Sequence, residues 1–264
     1  MADNTKIEWA EATWNPVTGC RHGCEYCYAR RIAERFGGWS TVFGTKTTIV
    51  RNSGVLDRPM LIQRGNGKIV KAPFPFGFEP TFHRYRLDIP AKWEKPRTIF
   101  VCSMADLFGE WVPTRWIVDV LDACAAAPQH RYLFLTKNPA RYGELDYLGL
   151  LPHGKNFWYG TTATQPGEPF FQRERINTFL SIEPIRGKIP SDSNLGVKWI
   201  IIGVETGNRK GKIAAHREWI ESAIDAGVGH HIPVFMKDSL IPIVGAENMR
   251  REFPWDETKG ETTR

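Results

Sequence analysis

Long apolar runs are missing from this chain: no stretch approaches the roughly 20 consecutive apolar residues of a membrane-spanning helix, so no membrane partner is expected. The opening Met1-Ala-Asp-Asn-Thr-Lys6 has no apolar core of a secretory leader. Cysteine is scarce, with 5 in 264 residues, and an odd number with three close-set members argues against a disulfide framework. A reducing cytoplasm is the expected setting. Blocks of one charge are absent too, since the 35 Lys+Arg that outweigh 29 Asp+Glu to give +6 are spread along the sequence. That balance admits an anionic partner but supplies no basic nucleic-acid tail. There is no internal repeat and no low-complexity tract, and 42% hydrophobic content is enough for a substantial core in one domain over 1–264.

What the sequence does have is a cluster of thiols, Cys20-Arg-His-Gly-Cys24-Glu-Tyr-Cys27. Thiolates spaced C-x3-C-x2-C can converge on one metal centre, and three protein ligands leave a coordination position open. A closed zinc site needs a fourth ligand, usually from a second C-x2-C or H-x3-5-H pair, and the sequence contains neither. His22 sits too tightly between Cys20 and Cys24 to complete a tetrahedron with both. An iron–sulfur cluster is the favoured reading; a zinc site and three unconnected thiols stay open beside it. Cys124 closes the ladder Trp116-Ile117, Val120-Leu121, Cys124, the buried face of a helix. Cys102 ends an apolar strand and is expected in the core.

Short apolar runs alternate with helix-sized segments. Strands are expected at Thr13–Asn15, Thr98–Cys102, Tyr132–Thr136, Phe157–Thr161, Thr178–Ile182, Trp199–Gly203 and Pro233–Met236. Helices are expected over Glu25–Phe36, ending at Gly37-Gly38, and over Thr114–Ala126, bracketed by Pro113 and Pro128. Two more are expected over Pro139–Leu148 and His216–Ala226. The alternation predicts an α/β fold with a parallel sheet curled into a full or partial barrel. Sites in such folds gather at the carboxyl ends of the strands. Beyond those ends come Ser103 to Asp106, Thr136 to Asn138 with Lys137, Thr161-Thr162, Ser181 to Pro184 with Glu183, Gly203 to Gly207 with Glu205, and Lys237-Asp238. The carboxylates suit ribose hydroxyls or an amine, and the lysines a carboxylate or phosphate.

Trp14-Asn-Pro-Val-Thr-Gly-Cys20, Phe100-Val-Cys-Ser-Met-Ala-Asp106-Leu-Phe108, Phe134-Leu-Thr-Lys137-Asn-Pro139, Phe179-Leu-Ser-Ile-Glu183-Pro184 and Ile201-Ile-Gly-Val-Glu205-Thr-Gly207 together resemble the phage Gp37/Gp68-type proteins, the DUF5131 family. That family is similar at a distance to radical S-adenosylmethionine (SAM) proteins such as spore photoproduct lyase. The resemblance spans about Thr13 to Lys237 and implies a partial (β/α)6-type, TIM-like barrel of the radical SAM kind. It also implies a [4Fe-4S] cluster on Cys20, Cys24 and Cys27, with SAM on the fourth iron. An electron-donor protein and an enzyme that abstracts hydrogen from its substrate are further implications. Such enzymes often carry a Gly-Gly-Glu-like segment for the methionine amine, where this chain has Cys102 to Asp106. Asp106 or the Ser103 carbonyl is the replacement, and Lys137, Glu183 and Glu205 are the other expected SAM contacts. The 162–178 stretch is short for the family, with room for one helical turn near Arg173–Ile176.

Between Trp39 and Phe78 the chain departs most from that pattern. Gly65-Asn-Gly67 between two β-prone runs predicts a hairpin. With Lys46, Arg51, Arg58, Arg64, Lys68 and Lys71 it is either a basic flap for a nucleic-acid base or nucleotide, or a solvated hairpin with a charged edge. Phe74, Phe76, Phe78 and Phe82 are expected to anchor the segment rather than stack on bases. A frayed tail is expected from Asp256 to Arg264. A non-catalytic iron–sulfur protein or a zinc-stabilised, nucleic-acid-binding phage accessory protein is the alternative to the enzyme.

Overall fold

The computed structural model describes residues 5–36, 41–42, 45–46, 54–63 and 66–256, the four in 41–46 by backbone alone. Gly37-Gly38, Arg51, Arg64 and the tail beyond Asp256 lie outside the described residues. The described chain is mixed α/β with seven parallel strands, and it divides into two compact units, Met1–Phe134 with Leu145–Pro152, and Leu135–Glu144 with His153–Arg264. No helix among the described residues is long and apolar enough to cross a membrane.

In the first unit, strand β1 (Ala12–Trp14) leads through the cysteine loop into helix α1 (Tyr28–Phe36). Strand β2 (Thr98–Val101) lies parallel to β1 with Trp14 opposite Val101, and β3 (Arg131–Thr136) flanks β2 on its other side. Every residue of β2 is buried, as a Thr-Ile-Phe-Val run covered on both faces requires. Between β2 and β3, helix α2 (Thr114–Ala125) starts after Pro113 and buries Ile117, Val120, Leu121 and Cys124 on one face. Each large aliphatic so buried contributes about 1.5–3 kcal/mol.

A small sheet unannounced by periodicity takes one strand from before the cysteines and two from after them. Val17–Thr18 runs antiparallel to Thr81–His83, and Val55–Leu56 runs parallel to that strand. The predicted hairpin is present, with Leu61–Gln63 paired antiparallel to Ile69–Lys71. Phe74, Phe78 and Phe82 are buried, so the phenylalanines after the hairpin act as anchors.

In the second unit, helix α3 begins at Ala140 (Ala140–Tyr147). Strands β4 (Phe157–Thr162), β5 (Asn177–Ile182), β6 (Ile200–Ile202) and β7 (Val234–Met236) then follow side by side in chain order. Helix α4 (Arg217–Val228) closes the connection from β6 to β7 and packs Ile220, Ala223 and Ala226 with Ile200, Ile202, Val234 and Met236. Between β4 and β5 there is no helix, only a turn in which the Ile176 N–H donates to the Arg173 carbonyl at 3.2 Å, in keeping with the short spacing.

Candidate metal centre

The cysteine loop leaves β1 where the sequence turns polar, at Asn15-Pro16. Asn15 is buried, and its side-chain oxygen accepts hydrogen bonds from the Met104 N–H at 2.9 Å and the Ser103 hydroxyl at 3.3 Å. That joins the end of β1 to the segment after β2. The chain is held on both sides as it reaches the first thiol: the Gly19 N–H donates to the Met104 carbonyl at 2.9 Å and the Cys20 N–H to the Phe78 carbonyl at 3.1 Å. Gly19 takes φ +90, and a Cβ there would stand 2.2 Å from the Glu79 carbonyl oxygen. Only glycine fits.

All three thiols of the loop are unpaired with one another and half-buried. Cys20 and Cys27 pack with Met104 against the cluster of Ala29, Ala33, Phe74 and Phe78. A turn from Cys24 to Cys27, closed by a 3.1 Å hydrogen bond, feeds α1, and the Arg30 N–H in its first turn donates to Cys27 Sγ at 3.3 Å. An N–H aimed at sulfur suits a coordinating thiolate. The Arg30 guanidinium reaches back to the Cys20 carbonyl at 3.2 Å while stacking over Phe78. Burial pushes the Cys20 thiol up to about 12, against a lowering hydrogen bond from the His22 backbone; Asp106, Cys27 and Cys24 act with burial. A metal bound here would have to drive that deprotonation itself, as coordinating metals do. Among the described residues no three His, Cys, Asp or Glu side chains form an assembled metal-holding group.

The middle of the loop is tied down by a pair that sequence reasoning did not find. The His22 ring donates from Nε2 to Asp106 Oδ2 at 2.6 Å, and Asp106 Oδ1 accepts the Phe108 N–H at 3.0 Å. Trp111 meets His22 edge-on at 4.8 Å, and its buried indole N–H has no hydrogen-bond partner among the described residues. An unused donor beside a thiol-rich loop suits an acceptor-bearing ligand. Asp106, the residue expected at the SAM amine, thus also anchors His22. The signal for it was available, because adjacent parallel strands β1 and β2 end in the segments that carry both residues. Cys102 and Cys124 are buried in the core, away from any such role in the sequence argument. Burial pushes the Cys102 thiol up to about 12.

The second unit gathers its own strand-end residues. Glu183 after β5 forms an ion pair with Lys237 after β7, and the pair lies over Gly203, where a Cβ would come within 3.0 Å of Lys237 Cδ and 3.1 Å of Glu183 Cδ. Gly203 is bonded on both sides, donating to the Ile182 carbonyl at 3.1 Å and accepting from the Ile185 N–H at 2.9 Å. Glu205 is buried and accepts two hydrogen bonds from Arg209, from Nε at 2.7 Å and Nη2 at 2.9 Å. Those bonds hold its carboxyl below the ordinary range despite desolvation. Lys137 is half-buried one residue beyond β3, next to Thr136, whose hydroxyl oxygen accepts the Asn138 N–H at 2.9 Å. The structure therefore brings Glu183 and Lys237 together, and gives Glu205 a partner, Arg209, that the strand-end rule did not name.

Comparison with known proteins adds one family. The model for DUF5131, described as a protein of unknown function, matches residues 4–240, and the chain belongs to that family. No curated protein matches it. No solved structure matches it either.

Proposed function

We propose that this DUF5131 protein is a radical SAM iron–sulfur enzyme acting on a nucleic-acid base or nucleotide. The observation that carries the reading is the C-x3-C-x2-C loop at the carboxyl end of the first parallel strand, with Cys20 and Cys27 seated against one apolar cluster and Cys24 between them in sequence. Cys20, Cys24 and Cys27 would hold three irons of a [4Fe-4S] cluster. Bound there, the cluster would supply one-electron reduction of SAM, with an electron taken from an outside donor, the chemistry by which radical SAM enzymes abstract hydrogen from a substrate.

The chain's own contribution is placement and exclusion. Gly19 lets the loop pass against the Glu79 backbone, and the His22–Asp106 pair fixes its middle. Phe74, Phe78 and Met104 cover one side of Cys20 and Cys27, the kind of shielding an oxidisable and radical-generating centre needs. Asp106, Lys137, Glu183 and Glu205 are the candidates to hold SAM, and the TIM-like barrel belongs to the same reading. The substrate class rests on the exposed cations Arg58, Lys68 and Lys71 around the hairpin and on the resemblance to a DNA-lesion lyase.

Anaerobic reconstitution with iron and sulfide tests the proposal. A brown protein that releases 5′-deoxyadenosine from SAM on reduction supports it. A brown protein that leaves SAM intact, or a colourless one that retains zinc, overturns it in favour of a non-catalytic iron–sulfur protein or a zinc-stabilised accessory protein.

A further inference from the structure

Helix α1 carries its large apolar side chains on the outside. Its buried stripe consists of two alanines, Ala29 and Ala33, whereas Tyr28, Ile32 and Phe36, spaced i, i+4, i+8, are 47%, 39% and 50% exposed. A helix that serves only the core buries its bulky residues and exposes its small ones, and an inverted face of this kind marks an interaction surface. The face is also cationic: Arg31 and Arg35 are exposed alongside it, with Arg35 stacked over the Phe36 ring at 5.3 Å, and Glu34 is the one exposed acid on the helix. Arg21 in the cysteine loop is exposed as well, its charge balanced by Glu79 at 3.1 Å. Helix α1 begins at the residue after Cys27. The face thus begins directly after the thiol loop, whose own exposed acid is Glu25.

From this we infer that the Tyr28–Ile32–Phe36 face, with Arg31 and Arg35, docks an acidic electron-transfer protein that reduces the cluster. The inference rests on the iron–sulfur reading above, which requires an electron from outside the chain, and it specifies where the donor sits. An apolar centre ringed by one sign of charge is the usual build of a transient interface, with the charges steering the encounter and the apolar groups limiting escape.

Two double variants test it in the full chain: Arg31→Glu with Arg35→Glu, and Ile32→Ser with Phe36→Ser. Tyr28 is left intact because its hydroxyl donates to the Ser103 carbonyl at 2.6 Å. After reconstitution, the rate of cluster reduction by an acidic flavodoxin hydroquinone should fall by roughly tenfold or more in both variants. Iron content and reduction by dithionite, which needs no docking surface, should be unchanged. Equal rates with flavodoxin in variant and parent would overturn the inference. So would sedimentation showing that the parent is a dimer which the Ile32→Ser, Phe36→Ser change dissociates, because a second copy would then cover the face. Calorimetric binding of oxidised flavodoxin to the iron-free chain separates the two proposals: binding lost in both variants upholds the docking surface even if no cluster can be installed, and no binding to the parent overturns it.

Discussion

The imidazole of His22 donates to the carboxylate of Asp106 at 2.6 Å, linking the middle of the cysteine loop to the segment that follows β2. Both side chains are largely withdrawn from water, at 22% and 8% exposure, so the contact is screened little. It fixes a loop whose neighbouring Gly23 is at φ +70, where an added Cβ would meet nothing within 4 Å. The pair supplies rigidity that the loop's own sequence lacks.

Asp106→Ala should therefore lower stability by about 1–3 kcal/mol, since it orphans the Phe108 N–H and releases His22. Asp106→Asn, which keeps a carbonyl acceptor, should cost less. Urea denaturation of both variants checks the order. Stability equal to the parent's in Asp106→Ala would show that the loop does not depend on this link.

Cys20, Cys24 and Cys27 should prove equally necessary for iron. Loss of one thiolate exposes an iron to solvent, so each Cys→Ala variant should lose most of its iron and its absorbance near roughly 400 nm after anaerobic reconstitution. Cys102→Ala and Cys124→Ala should retain both, because those thiols belong to the core. Full iron content in any one of the three loop variants would remove that residue from the ligand set.

Glu205→Ala should weaken SAM binding by about 1.5–3 kcal/mol, the value of a hydrogen bond to a charged group, and leave iron content as it was. The bidentate contact with Arg209 aims the carboxylate and holds it ionised. Calorimetry with SAM on the reconstituted protein reads the effect. If SAM affinity is unchanged while thermal stability drops, Glu205 serves the fold through Arg209 and not the cofactor.

Acid should act on the small sheet before the loop. Burial holds His83 down to about 3, with Arg86 adding, and the Thr18 hydroxyl and His83 Nε2 share a hydrogen bond of 2.9 Å. The folded chain keeps this ring neutral while the unfolded chain protonates it below about 6.5, so its contribution is intact above that pH and declines toward 3. Stability should fall by ~2 kcal/mol between pH 7 and pH 5 from this group. Glu205, with its lowered carboxyl, acts in the same direction at lower pH. His83→Gln should flatten the slope between pH 7 and 5, and an unaltered slope would assign the acid sensitivity elsewhere.

The seven parallel strands and the four longer helices of the described residues were legible because each is an apolar run or a 3.6-residue ladder ending at a glycine, proline or polar cluster, whereas the four-residue helix Ile241–Val244 is too short to carry a period. Boundaries moved by one to three residues: α1 begins at Tyr28 because the Cys24–Cys27 turn occupies the start expected at Glu25. The sheet of Val17–Thr18, Thr81–His83 and Val55–Leu56 was not legible, since two- and three-residue strands carry no period and their partners, such as Val17 and Phe82 or Val55 and Phe82, lie far apart in the chain. At the site, the cysteines announced themselves by spacing. His22–Asp106 and Glu205–Arg209 did not, because a pair partner is set by how strand ends meet and by how a loop folds back, neither of which composition encodes.

The hairpin offers the sharpest test of substrate class. Its described register places Lys71 opposite Leu61 and Ile69 opposite Gln63, with all four exposed. Lys68 is exposed in the turn, where its N–H donates to Asn66 Oδ1 at 3.2 Å. If Lys46, Arg51, Arg64, Lys68 and Lys71 form one electrostatic footprint, affinity for DNA or RNA should fall steeply with salt, by about 0.7–0.9 in log–log slope for each phosphate neutralised. Replacing the five by Ser should flatten that slope, whereas iron content and SAM cleavage without substrate should survive, because the hairpin supplies none of the thiols. Fluorescence anisotropy with single- and double-stranded oligonucleotides across a salt series measures the parent and the variant. A parent protein that binds none of them at low salt would exclude a polynucleotide substrate, and the hairpin's cations would then stand as an edge defence against sheet-to-sheet aggregation.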